Sequence, residues 1–257
     1  GGFLTSTLDY LKNQIKTVED KELYDNSIYG IEKKSLPYLL CITNLLLHDI
    51  DEPNIEHRNS FDRNVKDYRE NEKYDVVLMN PPYGGHEVKN IQANFPSNLR
   101  GSETFDLFMT LIMYRLKQDG RCAVILPDGF LFGVDNTKVN IKEKLMKDFN
   151  LHTIVRMPSS VFAPYTSITT NILFFDKTKS TDKVWFYRMD MPEGYKNFSK
   201  TKPILNKHFD DVKAWWNDRK EIIDEKEREE QTTTYKAKCY TIKEIIDNGY
   251  NIDLCGY

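Results

Sequence analysis

Short apolar runs alternate with amphipathic stretches along most of the chain. Runs at 28–32, 54–58, 74–79, 121–126, 152–157 and 170–176 predict strands, and residues 183–188 predict a further edge strand. Leu4, Leu8, Leu11 and Ile15 keep helical spacing. Ser35 and Pro37 mark a helix running to His48, with Leu39, Leu40, Thr43, Leu46 and Leu47 expected on its buried side. Ser102 or Thr104 is expected to cap a helix through Lys117, with Phe105, Phe108, Ile112 and Leu116 on one face and Gly120 as its terminator. Ile141, Leu145 and Phe149 predict a short amphipathic helix over 141–149. The alternation predicts an α/β fold, a doubly wound and mostly parallel sheet with helices on both faces.

The pattern changes after Pro192. Residues 209–230 are highly charged, and Val212, Trp215, Trp216, Ile222 and Ile223 leave a partial stripe, which predicts an exposed helix with a local docking face. Ile242 to Ile246 predicts a last short helix. Two regions follow: a catalytic domain over 1–192 and a helical or irregular extension over 193–257.

The strand at 74–79 runs directly into Asn80-Pro81-Pro82-Tyr83. Two prolines fix φ and remove two backbone donors, and Pro81 keeps Asn80 out of helical geometry. The result is a stiff, donor-poor rim carrying an amide and a phenol at the carboxyl end of a strand, where open α/β sheets bind ligands. A conjugated amino group is a poor nucleophile until its lone pair is freed. The Asn80 side-chain oxygen and the Pro81 carbonyl are two acceptors for its two hydrogens. Tyr83 offers a face for stacking, worth about 1–3 kcal/mol per base. A plain turn with Tyr83 as a core aromatic is the structural alternative.

Composition narrows the field. Net charge is −3, so a protein gripping duplex DNA must cluster its basic groups or share the work with a partner. Four scattered cysteines without a Cys-x-x-Cys pair read as reduced thiols of a cytoplasmic protein, and the five histidines show no metal spacing. No apolar run approaches membrane-spanning length. Gly1-Gly2 opening a helix fits a cofactor turn, where the backbone comes close to a ligand. Taken alone, the pair is equally an expression scar. Glu32, closing a strand some way after that turn, suits a ribose-binding carboxylate, although by itself it is an ordinary strand-end glutamate.

The Asn80–Tyr83 stretch resembles the catalytic motif of S-adenosylmethionine-dependent amino-group methyltransferases, especially DNA adenine-N6 enzymes. Residues 100–109, 125–133, 161–165 and 170–175 are similar to the methylation subunit of type I restriction–modification systems, and Tyr250-Asn251-Ile252-Asp253 extends the likeness weakly to the end. The resemblance implies the methyltransferase sheet with its first strand missing from this chain. The chain is accordingly read as a piece of a longer polypeptide, cut inside the cofactor turn and lacking the usual helical N-terminal domain.

It further implies that Gly1, Gly2, Phe3, Glu32, Asn59, Ser60, Phe61, Asn80 and Phe105 contact S-adenosylmethionine. Asn80, Pro81, Pro82 and Tyr83 are then catalytic, and Tyr83 and Phe162 hold a flipped adenine. No metal is required. The implied partners are duplex DNA, a sequence-specificity subunit and a second methylation subunit, and the assembly admits a restriction (nuclease/translocase) subunit. Two other readings stay open on the residues: a methyltransferase acting on a protein glutamine amide, and a non-catalytic scaffold subunit.

Overall fold

The computed structural model describes residues 1–224 and 234–254. The end of the charged stretch, 225–230, lies outside the described residues. The chain forms two compact units, residues 1–64 and 65–257.

The first unit contains α1 (Gly2–Lys12), α2 (Val18–Asp25), β1 (Tyr29–Glu32), α3 (Ser35–Leu46) and β2 (Asn54–His57). β1 and β2 pair in parallel, with Tyr29 opposite Asn54 and Glu32 opposite His57. Thr17 and Asp20 cap α2 reciprocally, each side chain accepting the other's backbone N–H at 3.0 Å. Leu8, Leu45, Ile50 and Ile55 form the core, with Leu4, Leu11 and Ile15 packed against it as their spacing predicts. The α3 stripe is different. Leu39 is 58% exposed, Leu40 61% and Leu47 77%. The helix turns Tyr38, Cys41, Ile42 and Leu45 inward instead. An apolar period shows that a face exists, but α3 is apolar nearly all round and the period cannot say which side is covered.

The second unit is a seven-stranded sheet. Its strands are β3 (Tyr74–Met79), β4 (Leu116–Pro127), β5 (Asn150–Arg156), β6 (Thr170–Asp176), β7 (Lys183–Arg188), β8 (Ile222–Ile223) and β9 (Tyr235–Thr241). They are ordered β3-β4-β6-β5-β7-β9-β8. β3 with β4 and β5 with β7 are parallel pairs, while β6 and β9 run against their neighbours. Five strands therefore share one direction. β7, expected at the edge, lies between β5 and β9. Residues 193–257 carry helices α8 (Asp210–Asn217) and α9 (Ile242–Asp247), but also β8 and β9, which lengthen this same sheet. Ile222 and Ile223, expected on a helix, form β8; α8 ends at Asn217.

One face of the sheet packs under α5 (Thr104–Arg115), α6 (Asp128–Phe132) and α7 (Asn136–Asp148), around Leu126, Phe130, Ile141, Leu145, Leu173 and Phe175. The other face carries α8, with Trp215 buried against Tyr187. α5 ends earlier than its sequence suggests. Gly120 lies inside β4, not at the helix terminus, and a Cβ there would stand 2.9 Å from the Lys117 carbonyl. Among the described residues β1 and β2 pair only with each other, β3 pairs only with β4, and β8 only with β9.

After Tyr83 the chain passes through α4 (Lys89–Gln92) and returns to α5. The two ends of this excursion are stitched together. His86 bridges Glu103, Glu87 N–H donates to Ser102 O at 3.1 Å, and Thr104 Oγ1 donates to Gly85 O at 2.9 Å.

Candidate active site

β3 is anchored by Val77, buried in the main core, and by its register with β4, where Met79 faces Val124. The chain leaves the sheet at Asn80. Pro81 is buried, Asn80 and Pro82 are exposed, and Tyr83 is half-buried. The expected rim therefore exists, with the Asn80 amide facing solvent and not sealed under side chains.

The Tyr83 hydroxyl donates to Asn80 Oδ1 at 2.5 Å. Burial pushes the Tyr83 phenol up to about 12, against the pull of that hydrogen bond, so it is a protonated donor at any ordinary pH. The Tyr83 and Phe162 rings meet edge to face, with centroids 6.0 Å apart and planes at 63°. The structure thus brings together two aromatics 79 positions apart in sequence. Sandwiching a flat group takes two steps of about 3.4 Å and parallel rings nearer 7 Å apart, so this pair is closed to such a group unless it parts and rotates.

Phe162 sits in the loop joining β5 to β6. Met157 N–H closes its base on Thr170 O at 2.9 Å. Tyr165 N–H donates to Phe162 O at 2.8 Å, and Phe198 N–H to Ser160 Oγ at 2.9 Å. Ser160 takes φ of +63°. The loop is therefore an organised support for its ring.

Phe105 is the second residue of α5 and is 6% exposed. Its ring packs edge to face on Phe130 at 6.5 Å, and the Lys138 ammonium lies 5.3 Å from its centroid. That lysine centres a cluster that sequence reasoning missed: Lys138 Nζ lies 2.8 Å from Glu103, 3.1 Å from Asp106 and 3.2 Å from Asp135. Burial lifts the Asp106 carboxyl to about 6, although Lys138 works the other way. Only Asp135, with Lys138 three residues on, left a local trace, because Asp135 also caps α7 by accepting Lys138 N–H at 3.1 Å.

The remaining expected residues belong to the first unit. Gly1 and Gly2 lie at the start of α1, and a Cβ on Gly2 would meet nothing within 4 Å. Phe3 is 43% exposed. Leu4, one residue on, approaches Gly30 of β1, so the start of α1 lies along the strand that ends in Glu32. Glu32 Oε1 accepts Lys34 N–H at 2.8 Å. An open helix start and, in the same unit, a carboxylate at a strand end are the two features that a cofactor with a ribose uses. Asn59 Oδ1 instead accepts Phe61 N–H at 3.1 Å; Ser60 is half-buried, and the Phe61 ring is fully enclosed. These three form a compact turn. Among the described residues no His, Cys, Asp or Glu group can hold a metal, and no helix is long and apolar enough to cross a membrane.

A sheet with most strands codirectional, bearing Asn-Pro-Pro-Tyr at a carboxyl end with a second aromatic ring facing the tyrosine, defines a methyltransferase-type α/β protein. The chain belongs to the N-6 DNA Methylase family, which residues 1–257 match. It is 46% identical over 256 residues to the type I restriction enzyme EcoEI methylase subunit of Escherichia coli, covering 99% of this chain and 51% of that protein. It is 32% identical to the EcoKI methylase subunit of Escherichia coli K12, over 80% of this chain and 41% of that one. Its structure resembles a modification subunit of a putative type I restriction enzyme from Vibrio vulnificus, with a TM-score of 0.85, 43% identity, and coverage of 95% and 50% of the two chains. The chain thus spans about half the length of the relatives it matches.

Proposed function

We propose that the protein containing this chain is the modification subunit of a type I restriction–modification system. It transfers a methyl group from S-adenosylmethionine to N6 of an adenine flipped out of duplex DNA. The carrying observation is Asn80, exposed at the end of β3 with its Oδ1 already engaged by a hydroxyl donor. An oxygen that binds a phenol proton in the resting site can bind an amino proton in the working one. With the Pro81 carbonyl as second acceptor, the nitrogen lone pair is directed outward. Tyr83 and Phe162 hold the ring. Flipping costs a few kcal/mol, because the amino group is inaccessible in the stack. When bound, S-adenosylmethionine supplies a methyl group on a good sulfonium leaving group, so positioning is the protein's main contribution.

This reading assigns Gly1, Gly2, Phe3, Glu32, Asn59, Ser60 and Phe61 of the first unit, and Asn80 and Phe105 of the second, to cofactor binding. Residues 1–192 would form the catalytic part and 193–257 an extension joined to it through β9. Duplex DNA, a sequence-specificity subunit, a second methylation subunit and a restriction subunit are the partners this reading assigns.

The test is Asn80→Ala in the full-length protein with its specificity subunit. Methyl incorporation into duplex DNA should fall by about 100-fold, the scale of a misplaced reacting group. Affinity for S-adenosylmethionine should change only a few-fold. Wild-type turnover in Asn80→Ala would end the assignment.

A further inference from the structure

Arg156 ends β5 and is 4% exposed. Its guanidinium reaches Asp128 Oδ2 at 2.7 Å and Asp253 Oδ1 at 2.6 Å. Asn171 Nδ2 donates to the other Asp128 oxygen at 2.6 Å. These four residues come from separate places. Arg156 is the last residue of β5 and Asn171 the second of β6, where they face each other across the sheet. Asp128 opens α6, and its N–H donates to Thr169 O at 3.2 Å. Asp253 arrives from the far end of the chain. It is seated there by Ile252, which is fully buried and donates its N–H to Leu131 O at 3.1 Å.

The cluster therefore straddles both stems of the loop that carries Phe162. Burying one arginine with two carboxylates is a weak route to stability, since desolvation offsets the attraction. The same atoms do fix orientation, because a planar guanidinium binds two carboxylates in only a few geometries. Asn171 Oδ1 and Thr170 Oγ1, at the same stem, are buried with no hydrogen-bond partner among the described residues.

We propose that Asp253 and Arg156 are positioning residues for base binding: the docked 250–254 segment, through this cluster, sets the loop that holds Phe162 against Tyr83. The inference rests on the adenine-methyltransferase reading and adds a cause for the placement of its aromatic wall.

The experiment uses the full-length protein assembled with its specificity subunit, on duplex DNA with 2-aminopurine at the target adenine. Asp253→Ala should reduce both the fluorescence rise and kcat about tenfold. KM for S-adenosylmethionine should stay within about twofold, because only positioning in the transition state is lost. Asp253→Glu, which keeps the charge, should recover most of the loss. In a Phe162→Ala background, Asp253→Ala should cost nothing further, which a merely structural residue would not show. If Asp253→Ala fails to fold, Asp253→Asn takes its place.

Losses that multiply independently, or Asp253 variants that flip the base like wild type, overturn the positioning role and leave the methyltransferase reading intact. A wild-type complex that neither flips nor methylates its target overturns both.

Discussion

The Tyr83 hydroxyl rests on Asn80 Oδ1 at 2.5 Å, so the motif's key acceptor is occupied by the motif's own phenol. That oxygen has a second lone pair, so an incoming donor either shares it with the phenol or replaces it. The Tyr83 ring meets Phe162 edge to face, so any shift of the phenol is felt at that contact.

Tyr83→Phe keeps the ring and frees the acceptor. The expected outcome is turnover within about tenfold of wild type and no loss of base binding, since stacking is retained. Tyr83→Ala should weaken base binding by about 1–3 kcal/mol, the worth of one base–aromatic stack. Equilibrium titration with a 2-aminopurine duplex separates the two.

Lys138 is the cation held between Glu103, Asp106 and Asp135. Lys138→Met should cost about 3–5 kcal/mol, the usual result of orphaning buried charge. It should also loosen the start of α5. Asp106, held near 6 by burial, binds a proton in the folded state that the unfolded chain has released above about pH 4. Its contribution to stability therefore falls as pH rises from 4 through 6. Asp106→Asn should accordingly gain on wild type between pH 5 and 7.5 in paired thermal melts.

Lys142 is fully enclosed and donates to the carbonyls of Leu131 at 3.0 Å and Gly133 at 2.7 Å, closing the end of α6. Burial brings its ammonium down to about 8. Between 8 and the ordinary lysine value the unfolded chain holds a proton that the folded protein has shed, so this group favours folding increasingly as pH rises through that window. Denaturant melts at pH 7.5 and 9.5 should show the gain in wild type and its absence in Lys142→Met.

Val76 and Leu78 lie on β3, whose second edge carries no strand among the described residues, and they are 48% and 43% exposed. Such an edge invites pairing with another chain. This 257-residue chain by itself should therefore self-associate at micromolar concentration, and Val76→Lys should suppress that without lowering its melting temperature. Light scattering of both chains decides it. Monodisperse wild type would refute the edge as the cause.

Much of this was legible in the residues. β3, β6 and β7 begin and end where their apolar runs do, because a strand in a buried sheet writes its own length into the sequence. Asn80–Tyr83 was legible because two adjacent prolines straight after a strand stiffen the chain and strip it of donors at the very end where ligands bind. Other features were hidden because they are settled by distant partners. Nothing near Leu39 or Leu40 says which side of α3 will be covered. β9 reads as an ordinary polar–aromatic stretch until β7 lies beside it. Arg156 and Asp253 are 97 residues apart, and neither shows in its own surroundings that the other is its counter-ion.

The stitch between His86 and Glu103 makes the segment from Glu87 to Ser102 a closed detour whose two ends share one point. Once ends are pinned, lengthening the path between them costs only about 0.6 kcal/mol per doubling. Insertions or deletions within that span would therefore leave Asn80 where it is. A fixed rim stands beside a length of chain whose sequence can change without moving it.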